Sequence, residues 1–425
     1  MRSSGAGVLS QRRRQAWQPG DAAQLGFVTF SHAVQHIYVA ALAISYPYVV
    51  ADLHISYGTL GVLLGVAGLV GGLLQAAAGM VRRVPARLLL TAQNIGLATA
   101  MLLASVAPGF GMFSGARMLG AFTTWPQHPI GSAHLTARFP DRRGLVLSWH
   151  TTGGTIGTLS VPLVAEALFR GIGWRPGFVV FAGVMVLGAV LVMAGLRDRH
   201  ARTRDTAAGP DRQDTLSEPA VPAGGEQPPP ARLRTVFRRR TVILVLVAST
   251  IGAAGRGLGA ITTYVPAYLQ SDLHVGHLRI GAVVTAILAA GVIGPIVIGQ
   301  LSDRLDRRAV LVIVYLAGAG ALAGFVLVGA TVPALAAVGL LIGVFAYSES
   351  PLLQSMFSDS IKGANSRAAF GVFFAIAYGV GSLWLTVLGQ IIDHVGFQAA
   401  FFAMAGSFVT AACLIALSRP APRAS

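Results

Sequence analysis

The sequence predicts an all-α membrane protein with twelve transmembrane helices, arranged as two pseudo-symmetric six-helix bundles with both termini in the cytoplasm. Three observations support this fold class. The 425 residues are 54% hydrophobic with a mean hydropathy of +0.66, which is too apolar for an ordinary soluble protein. The apolar residues fall in runs long enough to cross a bilayer as helices. A motif from the first half of the chain recurs in the second half.

Apolar runs bounded by charged or turn residues define the predicted helices. A helix needs about 20 mainly apolar residues to cross the hydrocarbon core. The predicted N-terminal bundle (23–195) and C-terminal bundle (241–418) are flanked by a basic tail (1–22) and a short tail (419–425). Between the bundles, residues 196–240 are rich in Pro, Gly and charge, which predicts a flexible cytoplasmic linker. The twelve runs are 24–50, 57–80, 86–107, 110–136, 144–169, 174–195, 241–271, 278–301, 308–328, 333–358, 366–393 and 396–417.

The positions of the basic residues predict the orientation. All but five of the 32 Lys and Arg residues lie in the tails, or in and beside alternate loops, on one side of the membrane. The exceptions are Arg170, Arg175 and Arg279 in the opposite loops, and Arg117 and Arg256 inside spans. By the positive-inside rule, the basic side is the cytoplasm. The net charge of +16 is therefore a topology signal in an inner membrane, and we expect no nucleic-acid partner.

A repeated motif predicts two halves that are built alike. The segment DLHISYGTLG (52–61) recurs as DLHVGHLRIG (272–281), and the same shift aligns Tyr48 with Tyr268. Internal repeats of this kind are typical of transporters that alternate access to a central site. The lone Cys413 excludes a disulfide within the chain.

The loop GQLSDRLDRRAVL (299–311) resembles the signature G-x-L-x-D-R-x-G-R-R-x-x-L of the major facilitator superfamily of transporters. Asp306 stands where that signature has a glycine. The resemblance implies a twelve-helix fold and a charged latch that holds the two halves in one state. The residues that would form this latch are Gly299, Asp303, Arg304, Arg307 and Arg308.

Two further segments resemble the fosmidomycin-resistance branch of this superfamily. They are SHAVQHIYVAALAISYPYVVADLHISYGTLG (31–61) and QHPIGSAHLTARF (127–139). The resemblance implies proton-coupled export of a small organic solute, anionic or antibiotic-like. His36 occupies the branch's aspartate position, and Ile130 replaces its acid after His-Pro. Proton-coupled uptake of an organic anion is therefore the alternative function.

The resemblance also implies that helices 1, 4, 7 and 10 line a central cavity. These four predicted helices contain His32, His36, His128, Arg256 and Glu349. A charged group at mid-membrane costs at least about 2.5–3.5 kcal/mol, so such groups usually face water or a partner. We therefore expect these side chains to meet around the transport pathway.

Arg256 is the candidate contact for an anionic substrate, because a guanidinium binds carboxylate and phosphate groups with paired hydrogen bonds. The alternative is a structural ion pair between Arg256 and Glu349. His36 can titrate near neutral pH, so it either carries a proton or holds neighbouring helices together. The predicted substrate-binding residues are Arg256, His36, His128, Gln127, Tyr264 and Tyr347. The predicted proton-coupling residues are Glu349, His36, His32 and Arg117.

The sequence predicts neither an enzyme nor a metalloprotein. It contains no hydrolase, zinc-protease or nucleotide-binding motif. His32 and His36 share one helical face, but no nearby acid or thiol completes a metal site, and we expect His150 to be structural. The predicted protein is a monomer that needs no cofactor and contacts a small solute, protons and lipid. A membrane-embedded enzyme and a non-transporting sensor are the other hypotheses.

Overall fold

The computed structural model describes residues 20–77, 81, 84–139, 142–197, 233–361 and 366–418. These residues form helices joined by short connections, without a β-strand among them. The predicted C-terminal tail, most of the predicted N-terminal tail and most of the predicted linker lie outside the described residues.

The N-terminal half contains the elements α1 to α6. Their bounds are α1 Asp21–Asp52, α2 Tyr57–Ala77, α3 Ala86–Ser105, α4 Phe110–Thr123, α5 Arg143–Ile172 and α6 Trp174–Gly195. After α4 the chain continues through a π-helical turn (Gln127–Gly131) into a short helix (Ser132–Arg138). The interruption coincides with Pro126 and Pro129, which lack the backbone N–H that an α-helix needs.

The C-terminal half contains the elements α7 to α12. Their bounds are α7 Arg240–Asp272, α8 His277–Arg304, α9 Arg307–Leu327, α10 Val332–Ser360, α11 Ala369–Val395 and α12 Phe397–Ala416. α7 is interrupted by a 3₁₀ turn (Gly252–Gly255) and a π-helical turn (Gly257–Ile261). Inside the second turn Gly259 has φ +130°, a conformation that a residue with a side chain rarely adopts.

Eleven helices in the described residues are long and apolar enough to cross a membrane. The predicted fourth span (110–136) is divided into shorter helices and is not one of the eleven. The count of twelve spans and the cytoplasmic position of the termini therefore stay predictions. Apolar side chains such as Leu327 and Ile313 are 74% and 62% exposed, as expected for faces that contact lipid.

The backbone repeats the two-fold pattern of the sequence. His54 and His274, the third residues of the two repeated motifs, have φ of 50° and 52° and are the described non-glycine residues with positive φ. Gly173 and Gly396 precede the last helix of each half and have φ of 89° and 104°. Because side chains disfavour this region, its recurrence at equivalent positions indicates that each half makes the same connections.

The two halves contact each other through α2 against α11 and through α5 against α8. Glycines permit the first contact. A Cβ atom on Gly72 would lie 2.7 Å from the Cα atom of Gly379, and one on Gly61 would lie 2.3 Å from the carbonyl oxygen of Leu385. Close approach of helices through small residues is typical of membrane proteins, which have no hydrophobic driving force between helices.

Candidate functional site

A cavity of about 280 Å³ lies between the two halves, where α1, α4, α5, α7 and α8 meet. Most of its wall is aliphatic and includes Val39, Ile44, Leu258 and Leu288. The described wall contains neither Asp nor Glu, so its fixed charge is positive. The polar side chains of the wall are Gln35, His36, Tyr46, Arg117, His128, Thr158, Thr262 and Thr263.

Arg117 of α4 supplies the full charge in this wall. Its guanidinium lies beside the hydroxyls of Tyr38 and Tyr46, both on α1. Tyr38 fits there because Gly120 has no side chain: a Cβ at that position would lie 1.7 Å from the Tyr38 hydroxyl oxygen. The Nε atom of Arg117 is buried without a partner among the described residues. Neutral hydroxyls do not cancel the charge of the guanidinium, so the charge is available to an anion.

Arg256 and Glu349 instead form a closed ion pair outside the described cavity wall. The Arg256 Nε and Nη2 atoms each lie 3.0 Å from a Glu349 oxygen. The Nη atoms also donate to the carbonyls of Ser249 and Ala377, both at 2.8 Å. Arg256 is 5% exposed and Glu349 is 0% exposed. This geometry favours the structural pair over a substrate contact, and the roles of both residues in binding or coupling stay predictions.

Four histidines converge beside the cavity. The ring centroid of His32 lies 4.7 Å from those of His36 and His128, and the ring stacks on His150 at 4.1 Å. His36 and His128 belong to the cavity wall, whereas His32 and His150 are buried behind it. The His36 Nδ1 atom lies 2.8 Å from the Thr158 hydroxyl oxygen. The fold thus brings the three selected histidines together and adds His150, which the sequence alone places in a structural role.

Three further predicted substrate contacts lie outside the described cavity wall. Gln127 is buried and accepts a hydrogen bond from Ser31 of α1 at 2.8 Å. The Tyr264 hydroxyl donates to the Leu385 carbonyl at 2.5 Å. Tyr347 packs against glycines of α7 and α8, and its hydroxyl has no partner among the described residues. In this conformation all three side chains contact neighbouring helices rather than the cavity.

The predicted latch residues connect helix ends within the C-terminal half. Arg307 at the start of α9 lies 2.8 Å from Asp303 of α8 and also pairs with Asp359 at the end of α10. Asp306 caps α9 by accepting a bond from the backbone N–H of Arg308 at 3.0 Å. These contacts lie within one half, so a latch between the halves stays a prediction. The remaining latch residues, Gly299 and Arg304, lie near the end of α8.

A buried carboxylate that the sequence analysis did not select connects the two halves. Glu166 of α5 is 0% exposed and accepts a hydrogen bond from Tyr48 of α1 at 2.6 Å. The Nδ1 atom of His277, at the start of α8, lies 2.7 Å from the Tyr48 hydroxyl and 3.4 Å from the carboxylate. One signal was available: Glu166 is the acid within the fifth apolar run (144–169), and intramembrane acids are usually functional.

Two helical bundles around a cavity with buried polar groups are the architecture of many multi-pass membrane transport proteins. The sequence model of the Major Facilitator Superfamily matches residues 28–386 and 257–425. The chain belongs to this superfamily, and the predicted resemblance is confirmed. Membership of this superfamily indicates a transport protein rather than an enzyme.

Curated relatives include proteins named for transport or resistance and one named for transcription regulation. The chain is 29% identical over 203 residues to the transcription regulatory protein OpdE of Pseudomonas aeruginosa, covering 47% of this chain and 50% of OpdE. It is 21% identical over 388 residues to the fosmidomycin resistance protein of Escherichia coli K12, covering 89% and 88%. It is 27% identical over 166 residues to the cis,cis-muconate transport protein of Acinetobacter baylyi, covering 39% and 38%.

Apart from the fosmidomycin resistance protein, the chain spans about half the length, or less, of these curated relatives. Among solved structures, it is similar to a bacterial homolog of the human lysosomal transporter Spinster in an inward-facing, unoccupied conformation. The TM-score is 0.68 at 13% identity, over 95% of this chain and 96% of that chain. At this identity the likeness shows a shared fold.

Proposed function

We propose that this protein is a secondary transporter that moves a small organic anion by alternating access, with Arg117 as the group that binds the anion. The observation that carries this proposal is that Arg117 lies in the wall of the cavity between the halves, and that the described wall contains no carboxylate. In surroundings of low dielectric constant, a guanidinium attracts an anion far more strongly than it does in water. Arg256, which the sequence favoured for this role, is already neutralised by Glu349.

The rest of the wall supports a compact solute with an apolar part. The volume of about 280 Å³ is at or below the small end of the ligand pockets found in proteins, which begin at about 300 Å³. Aliphatic side chains such as Val39 and Leu288 suit a hydrocarbon portion, and Thr262 and Thr263 offer hydroxyls to its polar groups. A small carboxylate or phosphonate combines these features.

The contacts between the halves support an inward-facing state. Tyr57 of α2 lies 2.8 Å from Ser271 at the end of α7, through their hydroxyl oxygens. The backbone N–H of Gly58 donates to Asp393 of α11, also at 2.8 Å. Both contacts lie at helix ends that the basic loops predict to face away from the cytoplasm. We propose that these contacts close the outer side and that they break when the cavity opens outward.

We place proton coupling at the contact between Glu166, Tyr48 and His277, and keep His36 as the second candidate. A proton on Glu166 removes the negative charge that faces Tyr48 and His277, and so changes the contact that these three residues make. Because Glu166 and His277 belong to different halves, the proton changes the free energy difference between two arrangements of the halves. Arg170, one turn further along α5, adds positive charge beside the same tyrosine.

Export through an inner membrane is the direction that similarity to the fosmidomycin resistance protein supports. The fosmidomycin resistance protein is similar over nearly the whole chain, and its name denotes resistance. Uptake is the second candidate because the cis,cis-muconate transport protein is also similar, over a shorter segment.

A transport assay with matched arginine variants tests the anion site. The purified protein is reconstituted in liposomes, which are loaded with one solute at a time. The solutes are short mono- and dicarboxylates, alkyl phosphonates, and uncharged or amine analogues of the same size. Arg117→Gln is expected to abolish anion exchange, because the fixed charge is lost. Arg117→Lys is expected to retain part of it, because the charge stays while the paired geometry is lost. The control is Arg279→Gln, which removes an exposed arginine that is not part of the described cavity wall.

Thermal melting of each variant separates a binding defect from a folding defect. An anion that is transported is expected to raise the melting temperature of the native protein and of Arg279→Gln, but not that of Arg117→Gln. Equal stabilisation of Arg117→Gln, or transport confined to neutral or cationic solutes, would show that Arg117 is not the anion receptor.

A further inference from the structure

The histidine cluster contains nitrogen atoms that the hydrogen bonding of the described residues leaves unused. His32 Nδ1 lies 2.6 Å from the backbone carbonyl of His150. A carbonyl accepts only, so Nδ1 carries the proton and the Nε2 atom of the neutral ring keeps its lone pair. That Nε2 atom is buried and has no partner among the described residues, and the same is true of both ring nitrogens of His150. Buried polar atoms without partners are uncommon and require an explanation.

Glycines on neighbouring helices make room for this cluster. A Cβ on Gly154 of α5 would lie 2.8 Å from the His32 Cε1 atom and 2.9 Å from the His36 Nε2 atom. A Cβ on Gly131 would lie 3.0 Å from the His150 Cε1 atom. The imidazole rings of His32 and His36 therefore occupy space that a side chain at position 154 of α5 would otherwise fill.

One ligand atom each from His32, His128 and His150 lies within 4.8 Å of the other two. The three residues come from α1, from the π-helical turn after α4 and from α5. Nitrogen atoms bound to one tetrahedral ion at about 2.1 Å lie about 3.4 Å apart. To bind one ion, the stacked rings of His32 and His150 must rotate out of their parallel arrangement, so that a nitrogen lone pair of each points to the ion. The hydrogen bond from His32 to a backbone carbonyl is the kind of outer contact that fixes a metal-binding imidazole.

We propose that His32, His128 and His150 form a binding site for a divalent transition-metal ion. Neutral imidazoles select zinc, cobalt, nickel or copper, whereas magnesium and calcium require oxygen ligands. His128 is exposed to the cavity, which gives the ion a path of entry and leaves a fourth coordination position on the cavity side. His36, whose ring centroid lies 6.0 Å from that of His128, is the nearest further imidazole.

This metal site goes beyond the proposed anion transport and does not depend on it. A bound ion would connect three elements of the N-terminal half and add positive charge beside the cavity that contains Arg117. The sequence offered no third ligand near His32 and His36, because His150 is distant in the chain and reaches His32 only through the packing of α1 against α5.

Metal binding by the purified full-length chain tests the proposal. The protein is prepared without a polyhistidine tag and titrated with Co²⁺ at neutral pH, and Zn²⁺ is measured by equilibrium dialysis. We expect one ion per chain and the visible absorption bands of four-coordinate cobalt with nitrogen ligands, which zinc displaces. His150→Ala, His32→Ala and His128→Ala are each expected to weaken binding by at least about 10-fold, since each removes a ligand.

Two further variants make the result decisive. His394→Ala removes a histidine at the end of α11, far from the cluster, and is expected to bind as the native protein does. Gly154→Ala retains every histidine but displaces two of them, so it is also expected to weaken binding. Gel filtration and thermal melting identify any variant that is misfolded. The proposal is overturned if the native protein binds no stoichiometric Co²⁺ or Zn²⁺, or if the three ligand variants and Gly154→Ala bind as His394→Ala does.

Discussion

Replacing Glu349 by Gln is expected to destabilise the C-terminal half by leaving Arg256 charged, buried and without a counter-ion. In the native protein two Arg256 nitrogens each lie 3.0 Å from a Glu349 oxygen. Glutamine retains the shape and one acceptor but removes the negative charge. The carbonyls of Ser249 and Ala377 continue to accept from the guanidinium, yet two dipoles do not replace a full charge.

The magnitude follows from the burial of both groups. Arg256 is 5% exposed and Glu349 is 0% exposed, so solvent screens the pair very little. Breaking such a pair by removing one partner costs about 3–5 kcal/mol. For a half of this size, the melting temperature is expected to fall on the order of 10 °C. The Tyr315 hydroxyl, 3.1 Å from Glu349, keeps a neutral acceptor in the variant and adds little to the loss.

The double variant Arg256→Met with Glu349→Leu separates the cost of an unpaired charge from the contribution of the ion pair itself. Replacing a buried ion pair by apolar side chains is often neutral or stabilising. Here the carbonyls of Ser249 and Ala377 lose a donor, which costs about 1 kcal/mol each. The double variant is therefore expected to be more stable than Glu349→Gln, although it carries two substitutions instead of one.

The assay is thermal melting in detergent, and anion binding is measured on the same samples. Arg279→Met, which removes an exposed arginine, serves as the control and is expected to change stability by less than about 0.5 kcal/mol. The reasoning is refuted if Glu349→Gln melts as the native protein does. It is also refuted if Arg256→Met loses anion binding while Arg117→Gln retains it, since that result would restore Arg256 as the substrate contact.

Three further predictions concern the contact between the halves, proton coupling and a helix cap. Gly72→Val is expected to reduce transport at least about 10-fold, because the valine side chain would meet Gly379 where the helices must approach closely. Gly183→Val, at a position with open space around it, is expected to have little effect. Glu166→Gln is expected to retain downhill solute exchange but to lose transport driven by a proton gradient. Asp306→Ala is expected to lower the free energy of unfolding by about 1 kcal/mol through loss of the α9 cap, as measured by melting experiments. Asp306→Gly is expected to lower it by only a few tenths of a kcal/mol.

Each of these predictions has a contrary outcome. Equal transport by the valine variants at positions 72 and 183 would show that the α2–α11 contact is not required during the cycle. Gradient-driven transport that survives Glu166→Gln would move proton coupling to His36 or another group. A melting temperature for Asp306→Ala equal to that of the native protein would show that the carboxylate does not cap α9.

The positions of the apolar runs, and thereby the all-helical membrane fold, could be predicted from the sequence because bilayer insertion depends on local hydrophobicity. The repeated DLH motif predicted two similar halves, and His54 and His274 adopt the same unusual backbone conformation. The interruption of the predicted fourth span was not anticipated, although Pro126 and Pro129 mark it in the sequence. The family followed from the loop 299–311 and is confirmed.

Which ionisable groups share a site was decided by the tertiary structure. A transmembrane helix is apolar both where it faces lipid and where it packs on its neighbours, so polarity along the chain does not show which face meets the cavity. In the sequence, Arg117 and Arg256 are therefore equivalent, since each is an arginine inside an apolar run. Only the packing of the helices pairs Arg256 with Glu349 and leaves Arg117 facing the cavity. His150 joins His32 for the same reason: a contact between helices distant in the chain has no local signal in either of them.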